Sequence, residues 1–225
     1  MAGYNKQGIM LINKPQGMTS HDVVDRVRHK LGMQRVGHAG TLDPLAEGLL
    51  ILLVGRATKL FARFAGFDKE YLGALKLGEV TTTGDSQGQL LKKNDYGLLD
   101  QERVREAFSH FEGEIEQVPP MVSALRVGGK RLYELARKGI VVERAPRKIK
   151  ISTLKILDIN IPHVGFYVKC SKGTYIRKLA EDIGQSLGCG AHITKIKRVG
   201  IGPFKLEEAI ELDAIHESHL RNAAF

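Results

Sequence analysis

The chain has 225 residues, of which 43% are apolar and 26% charged, enough for one sizeable domain or two small ones. The longest apolar run, Leu49 to Val54, is too short to span a bilayer, and no charged and then apolar leader pattern opens the sequence. Two cysteines, Cys170 and Cys189, are too few for a disulfide framework or a thiolate metal site. We therefore expect a cytoplasmic protein.

Positive charge is concentrated in two parts of the chain. The formal net charge is +9, yet Val118–Lys155 alone has ten Lys or Arg against two Glu, and Phe166–Gly200 carries +5. The positive charge of these two segments together exceeds the negative charge of Glu79–Glu116, which is −5. Segregation of this kind indicates a face that binds a polyanion such as nucleic acid, although a solvated basic surface would have the same composition.

The first half of the chain predicts strands and short helices in alternation. This interpretation is based on apolar runs and turn signals. It is also based on a helical spacing of apolar residues that starts after Thr19 or Ser20 and stops at Gly32. The predicted elements are a strand at 8–13, a helix at 20–31, a polar loop at 34–47, a strand buried on both faces at 48–54, a short helix at 57–64, a strand at 71–77 and a loop at 81–88.

The second half predicts a sheet interrupted by a basic insertion. The expected elements are a helix at 99–110, strands at 113–118, 148–161, 165–171 and 193–199, a helix at 174–187 and a mostly acidic closing helix at 206–220. Helices and strands mix without a strict βαβ rhythm. We therefore expect an α+β fold with a mixed, mostly antiparallel sheet flanked by helices.

Familiar cofactor motifs are absent from the sequence. Gly128-Gly129-Lys130-Arg131 lacks the spacing and the Ser/Thr of a P-loop, and Gly188-Cys189-Gly190 does not continue into a dinucleotide fingerprint. The histidines show no zinc-ligand spacing. We expect no cofactor and no metal, so that the chemistry comes from side chains.

Asp43 lies in the most informative loop, GHAGTLDPLAEG at 37–48. The glycines allow tight backbone paths, and Pro44 favours an extended Asp43 just before a buried strand. A nucleophile or base could be presented there, but Asp-Pro alone is typical of a turn. The role of His38 is ambiguous in the same way: a histidine here is more often a hydrogen-bonding loop residue than a catalytic one.

Two further segments could contribute to a site. Thr174 is expected to cap a helix with Tyr175 and Arg177 in its first turn, where an Arg is unfavourable unless a carboxylate or phosphate partners it. Such a partner would have its pKa lowered. Tyr71 opens a strand and could be a core residue or a platform on which a base stacks.

These segments resemble the TruB family, the bacterial tRNA pseudouridine-55 synthases, over nearly the whole chain and in the family's order. The matching text is LINKPQGMTSHDVV (11–24), GHAGTLDPLAEGLL (37–50), GRATK (55–59), KEY (69–71), VPPMVSALRVGGKRLYELARKG (118–139), SKGTYIRKLAEDIG (171–184) and LGCGAHITKIKRV (187–199).

The resemblance implies a pseudouridine-synthase fold and isomerisation of a flipped-out uridine in the T-loop of tRNA. Asp43 matches the catalytic aspartate, Tyr71 the tyrosine that stacks on the base, and Arg177 the arginine paired with the aspartate. The family's pocket also includes the positions of Tyr175, Val199 and Lys59. Val199 departs from the common leucine, and Asn13 stands where the family often has Asp before Lys-Pro.

The resemblance also implies an RNA-binding surface. It places a basic thumb-like insertion at 118–147 within one catalytic domain of residues 1–225, without the C-terminal PUA domain of many relatives. The residues expected to contact RNA are His38, Lys14, Arg126, Lys130, Arg131, Arg137, Lys138 and Lys172. The expected partner is the tRNA T-stem-loop, with no membrane, no guide RNA and a monomeric protein.

Two alternatives stay open at this point. The protein could act mainly as an RNA-binding or tRNA-folding chaperone whose catalysis is secondary. It could also belong to the guide-RNA-dependent dyskerin branch of the superfamily, although the compact N-terminus and the missing PUA domain disfavour that hypothesis.

Overall fold

A computed structural model of the chain describes residues 6–97, 99–123 and 125–223. The chain divides into two compact units: unit 1 is Met1–Tyr71 with Lys197–Phe225, and unit 2 is Leu72–Ile196. The two ends of the predicted 1–225 domain, and Ala124 of the thumb-like insertion, lie outside the described residues.

The described residues form strands throughout the chain. They are β1 (Gly8–Lys14), β2 (Val36–Ala39), β3 (Glu47–Val54), β4 (Lys69–Leu77), β5 (Glu79–Thr81), β6 (Leu90–Lys93), β7 (Gly113–Gln117), β8 (Arg126–Val127), β9 (Lys130–Arg131), β10 (Arg147–Asn160), β11 (His163–Cys170), β12 (Ala191–Ile201), β13 (Phe204–Lys205) and β14 (Ile210–Glu211).

Helices separate several of these strands. The α-helices are α1 (Ser20–Leu31), α2 (Phe61–Ala65), α3 (Gln101–Ser109), α4 (Leu132–Ala136) and α5 (Ile176–Ser186). Turns of 3₁₀ helix cover Gly55–Leu60, Leu206–Glu208, Leu212–Ala214 and Glu217–His219.

β3 is the central strand of unit 1. It pairs antiparallel with β1 and β2, and parallel with β12 at Lys197 and Arg198. Seven of its eight residues are buried. Alternate side chains enter two apolar clusters, one with the buried face of α1 and one with Phe64 and Phe204. The prediction of a strand buried on both faces is confirmed.

Helix α1 begins and ends where the sequence predicts. The Thr19 hydroxyl accepts a hydrogen bond from the Asp22 main-chain N–H at 3.1 Å, and the Asp22 carboxylate accepts one from the Thr19 N–H at 2.7 Å. This reciprocal capping box satisfies two donors at the helix start. Gly32 ends the helix with a φ of +63°, a left-handed conformation that glycine adopts without strain.

Unit 2 is built on a mostly antiparallel arrangement in the order β12-β4-β11-β10-β7. Helix α3 packs on it through Phe108, whose ring meets that of Phe166 edge-on at 5.9 Å between centroids. Gly73 of β4 lies so close to the ring of Phe166 that a Cβ at Gly73 would overlap that ring. The predicted α+β class is confirmed.

The predicted helix at 206–220 is wrong. The segment forms short 3₁₀ turns around β14, and Ile210 pairs parallel with Ile12 of β1. Leu212 and Ile215 are buried in the cluster that contains α1. The apolar spacing of this segment resembles a helix, but burial against β1 and strand pairing decide its conformation.

The predicted polar loop at 34–47 also differs in part from the structure. Its first third forms β2, which pairs with β3 and buries Val36. Pairing with β3 gives the main chain of β2 hydrogen-bond partners that a free loop would lack. Only residues 40–46 connect the two strands, and we call this segment the Asp43 loop.

Within the described residues, no helix is long and apolar enough to cross a membrane.

The cap of α1 gives a test of the fold. Thr19→Ala removes one side of the capping box and should lower the free energy of unfolding by about 1 kcal/mol. Thr19→Ser keeps the hydroxyl and should stay close to wild type in the same urea titration. Equal stability of Thr19→Ala and wild type would contradict the cap's role.

Candidate active site

Hydrogen bonds fix the main chain on both sides of Asp43. Ser20, buried at the start of α1, donates to the Leu42 carbonyl at 3.1 Å and accepts from the Leu42 N–H at 2.8 Å. The Gly17 N–H donates to the Pro44 carbonyl at 2.8 Å, and the Ala46 N–H to the Asp43 carbonyl at 3.0 Å. Asp43 itself is half-buried. The loop is therefore held by the segment that precedes α1 and by α1 itself.

Arg198 of β12 connects the start of the Asp43 loop to β3. Its side chain is 1% exposed, and Nε donates to the Leu49 carbonyl at 2.7 Å. Nη2 donates to the Gly40 carbonyl at 3.0 Å, and Nη1 makes a longer contact of 3.5 Å with the Thr41 carbonyl. A planar guanidinium can reach several acceptors at once in this way.

Lys14 places a second buried cation in unit 1. Its side chain is 0% exposed, and Nζ donates to the carbonyls of Pro15 and Met18 at 2.9 and 2.7 Å. Burial lowers the pKa of Lys14 to about 8, while the carboxylate of Asp43 acts in the opposite direction. A lysine in this position is poorly placed for the predicted contact with an RNA phosphate.

The other predicted site residues of unit 1 lie on separate elements. Tyr71 of β4 is buried at 8% exposure, and Val199 of β12, next to Arg198, is half-buried. His38 is half-buried on β2, and Lys59 is exposed in the Gly55–Leu60 turn. The functions predicted for these four residues stay predictions.

In unit 2, a buried glutamine fixes the start of α5. The Tyr175 N–H donates to Gln117 Oε1 at 2.8 Å, and Gln117 Nε2 donates to the Tyr175 carbonyl at 3.2 Å. Tyr175 is the residue that precedes the helix, and Thr174 instead donates to the Ser171 carbonyl at 2.9 Å. The predicted cap by Thr174 is wrong, because the side chain of Gln117 satisfies the main chain there.

Arg177 is buried in the first turn of α5. It donates to the carbonyls of Thr83 and Val122 at 2.8 and 2.7 Å, and its Nε lies 3.8 Å from the carboxylate of Asp85. Asp85 is therefore one carboxylate partner of the kind that the sequence requires for an Arg at a helix start. The pairing of Arg177 with Asp43, implied by the family resemblance, stays a prediction.

The predicted RNA-binding residues of unit 2 lie at the surface. The predicted residues of the thumb-like insertion lie in the β8–β9 hairpin or directly after α4, and Lys172 precedes α5. The exposed residues are Arg126, Lys130, Arg131, Arg137, Lys138 and Lys172. Arg131 and Arg137 both pack on the ring of Tyr133, at 5.8 and 5.4 Å from its centroid. This packing orders two guanidinium groups that stay accessible to a polyanion.

Four polar residues that organise these sites have no clear signal in the sequence. The pattern predicts Ser20 only as a possible helix cap, and Arg198 only as one charge among several. Gln117 and Asp85 stand in a predicted strand and a predicted loop without a distinguishing motif. All four are buried, which a single sequence does not reveal for polar residues. In the described part of the chain, no three His, Cys, Asp or Glu side chains converge as a metal-binding group.

Comparison with known proteins agrees with this architecture. Residues 28–176 match the N-terminal domain of the TruB family pseudouridylate synthases, and residues 177–224 match the C-terminal domain of tRNA pseudouridylate synthase B. The tRNA pseudouridine synthase B of Protochlamydia amoebophila is 50% identical over 93% of this chain and 80% of its own length. That of Opitutus terrae is 47% identical over 92% and 86%.

Solved structures are similar as well. A protein in a Cbf5-Nop10-Gar1 complex superposes with a TM-score of 0.76 at 28% identity, over 98% of this chain and 61% of that one. A protein of an H/ACA RNP bound to a substrate RNA gives 0.69 at 29% identity, over 93% and 52%. The chain thus spans between half and two thirds of those proteins.

The fold and these matches define a pseudouridylate synthase. Within that class, the chain belongs to the TruB family.

The buried Lys14 gives a test of the site's electrostatics. Its pKa lies near 8 in the folded protein and near the ordinary value of 10.5 in the unfolded chain. Between these values the unfolded state binds the extra proton, so the contribution of Lys14 to stability rises with pH across this window. The unfolding free energy of wild type minus that of Lys14→Met should therefore increase from about pH 8 to about pH 10.

Urea titrations at several pH values would measure this difference, with the exposed Lys92→Met variant as the control. A difference that stays constant from about pH 7 to about pH 10 would contradict the assignment.

Proposed function

We propose that this protein isomerises uridine 55 in the T-loop of tRNA to pseudouridine, with Asp43 as the nucleophile. The observation that carries the proposal is the fixed loop around Asp43, found in a chain that belongs to the TruB family. Relatives 47–50% identical to it are named tRNA pseudouridine synthase B. Their name supports tRNA as the substrate.

The proposed reaction breaks the N1–C1′ glycosidic bond and joins C1′ to C5 of the rotated uracil. C5 loses its proton when it bonds to C1′, and N1 gains one when it is freed from C1′, so the reaction is redox-neutral and consumes no water overall. The carboxylate of Asp43 attacks the nucleotide and is released unchanged at the end. A nucleophile held stiffly by its own main chain loses little freedom when it reacts, which favours the rate.

The base must leave the folded loop of the RNA before Asp43 can reach it. In this proposal the ring of Tyr71 stacks on the extruded uracil, and Tyr175, Val199 and Lys59 complete the pocket. Arg177 pairs with Asp43 and orients its carboxylate, because a carboxylate in a pocket that excludes water needs an opposite charge nearby.

The proposed RNA surface consists of the thumb-like insertion at 118–147, His38 and Lys172. The exposure of the thumb cations and the two arginines packed on Tyr133 support it. We place tRNA binding on this surface without a guide RNA. The identity of 47–50% with proteins named tRNA synthases, against 28–29% with proteins of H/ACA-type complexes, supports this choice. The assignment of residues 1–225 to one catalytic domain, the monomeric state and the cytoplasmic location remain part of the proposal.

Asp43→Asn tests the proposed chemistry directly. An amide cannot act as the nucleophile, so single-turnover formation of pseudouridine in an unmodified T-stem-loop RNA should fall by at least roughly 10³-fold. The dissociation constant for the RNA should stay within about threefold, since the substitution removes one charge and no bulk.

Glu47→Gln is the matched control. Glu47 is a second acidic residue directly after the same loop, and its carboxylate pairs with Lys197. Its rate should stay near wild type. Undiminished turnover by Asp43→Asn would refute the proposal, and a cellular defect from thumb variants with none from Asp43→Asn would favour the RNA-folding alternative.

The thumb can be tested by the salt dependence of RNA binding. Replacing Arg131, Arg137 and Lys138 by Gln should weaken binding and reduce the slope of log K against log salt by about 0.7–0.9 for each phosphate that the variant no longer binds. Lys92 and Lys93, both exposed on β6, provide the control when replaced by Gln. An unchanged slope in the thumb variant would rule out phosphate binding by these residues.

A further inference from the structure

Arg198 is an energetically unfavourable residue to place in the core of unit 1. Its side chain is 1% exposed, and its hydrogen bonds go to main-chain carbonyls of the Asp43 loop and of β3. A buried cation loses its hydration, and neutral carbonyls offset that loss only in part. Packing alone therefore does not account for an arginine at this position.

The carbonyls that Arg198 binds lie on either side of Asp43 in the sequence. Gly40 and Thr41 precede the aspartate, and Leu49 follows it within β3. One rigid guanidinium thus ties the beginning of the loop to the strand that comes after it. Ser20 holds Leu42, the residue directly before Asp43, through both its carbonyl and its N–H. Together these contacts define the position of the Asp43 main chain.

Two glycines, Gly40 at the start of the Asp43 loop and Gly48 in β3, lie against Arg198. A Cβ at Gly40 would lie 3.6 Å from Nη1 of Arg198, and one at Gly48 would overlap the Arg198 carbonyl oxygen. Both glycines have positive φ, +91° and +103°. Backbone in this conformation favours glycine at both positions, and at Gly48 the main chain of Arg198 also leaves no room for a side chain. The start of the loop and β3 therefore approach Arg198 through glycines.

We infer that Arg198 is a positioning residue for Asp43, an inference that rests on the proposed function. Arg198 acts on Asp43 indirectly, through its hydrogen bonds to the carbonyls of Gly40 and Thr41. Arg198 needs no contact with the RNA for this function. Its removal should slow the chemical step and leave substrate binding unchanged, because an aspartate displaced by about 1 Å costs on the order of 10² in rate. A residue that only stabilised the core would change the melting temperature and leave the rate of the folded enzyme unaltered.

Arg198→Lys is the decisive variant, because it keeps the charge and loses the planar fork. Single-turnover rates and dissociation constants with an unmodified T-stem-loop RNA would be measured beside melting temperatures, at a temperature where every variant is folded. We expect the rate to fall about 10- to 100-fold, with RNA affinity within about threefold of wild type. Arg105→Lys, the same change at an exposed position of α3, is the control and should match wild type.

Gly40→Ala provides a second, independent variant. Alanine is strained at the φ of +91° that Gly40 adopts, so the substitution should shift the start of the loop and leave the Arg198 side chain unchanged. It should lower the rate in the same way, and the double variant should be no slower than the slower single one, because both changes break the same contact. If Arg198→Lys does not fold, Gly40→Ala decides the question by the same readouts.

A folded Arg198→Lys enzyme with the wild-type rate, or rate losses that simply multiply in the double variant, would overturn the inference. Those results would leave the proposed function intact. Failure of the wild-type protein to form pseudouridine in the same assay would overturn both.

Discussion

The hydrogen bonds of the main chain around Asp43 are the constraint on which the candidate site depends. The Asp43 loop enters a strand that is buried on both faces, so its peptide groups need partners within the protein. Ser20 and Arg198 supply those partners from a helix start and from a neighbouring strand. The same bonds that satisfy the loop also fix the direction in which the aspartate is presented.

A similar device operates in unit 2. The side chain of Gln117 pairs with the main chain of Tyr175, and the carbonyls of Thr83 and Val122 hold Arg177. In both units, buried polar side chains bind the main chain of a segment that the proposed function requires. Such fully satisfied contacts stabilise one arrangement of a site, because any displacement leaves buried groups unpaired.

Local patterns in the sequence predict the elements whose conformation depends on local chemistry. The capping box at Thr19, the stop at Gly32 and the apolar run of β3 each have a physical signal within a few residues. The helix predicted at 206–220 is wrong because that segment's conformation depends on pairing with β1, near the other end of the chain. Asp43 and Arg177 are found through resemblance to a family, whereas Arg198 and Gln117 need the structure. Nothing in the sequence tells which carbonyls a buried guanidinium or amide will bind.

We propose that this chain, alone, converts one uridine in the T-loop of tRNA. The most direct test is to incubate the purified protein with unmodified full-length tRNA, with no other RNA or protein, and to map pseudouridine at every position. We expect stoichiometric pseudouridine at the single T-loop uridine 55 and at no other site. Absence of pseudouridine, or its appearance only when a guide RNA is added, would refute the proposed function.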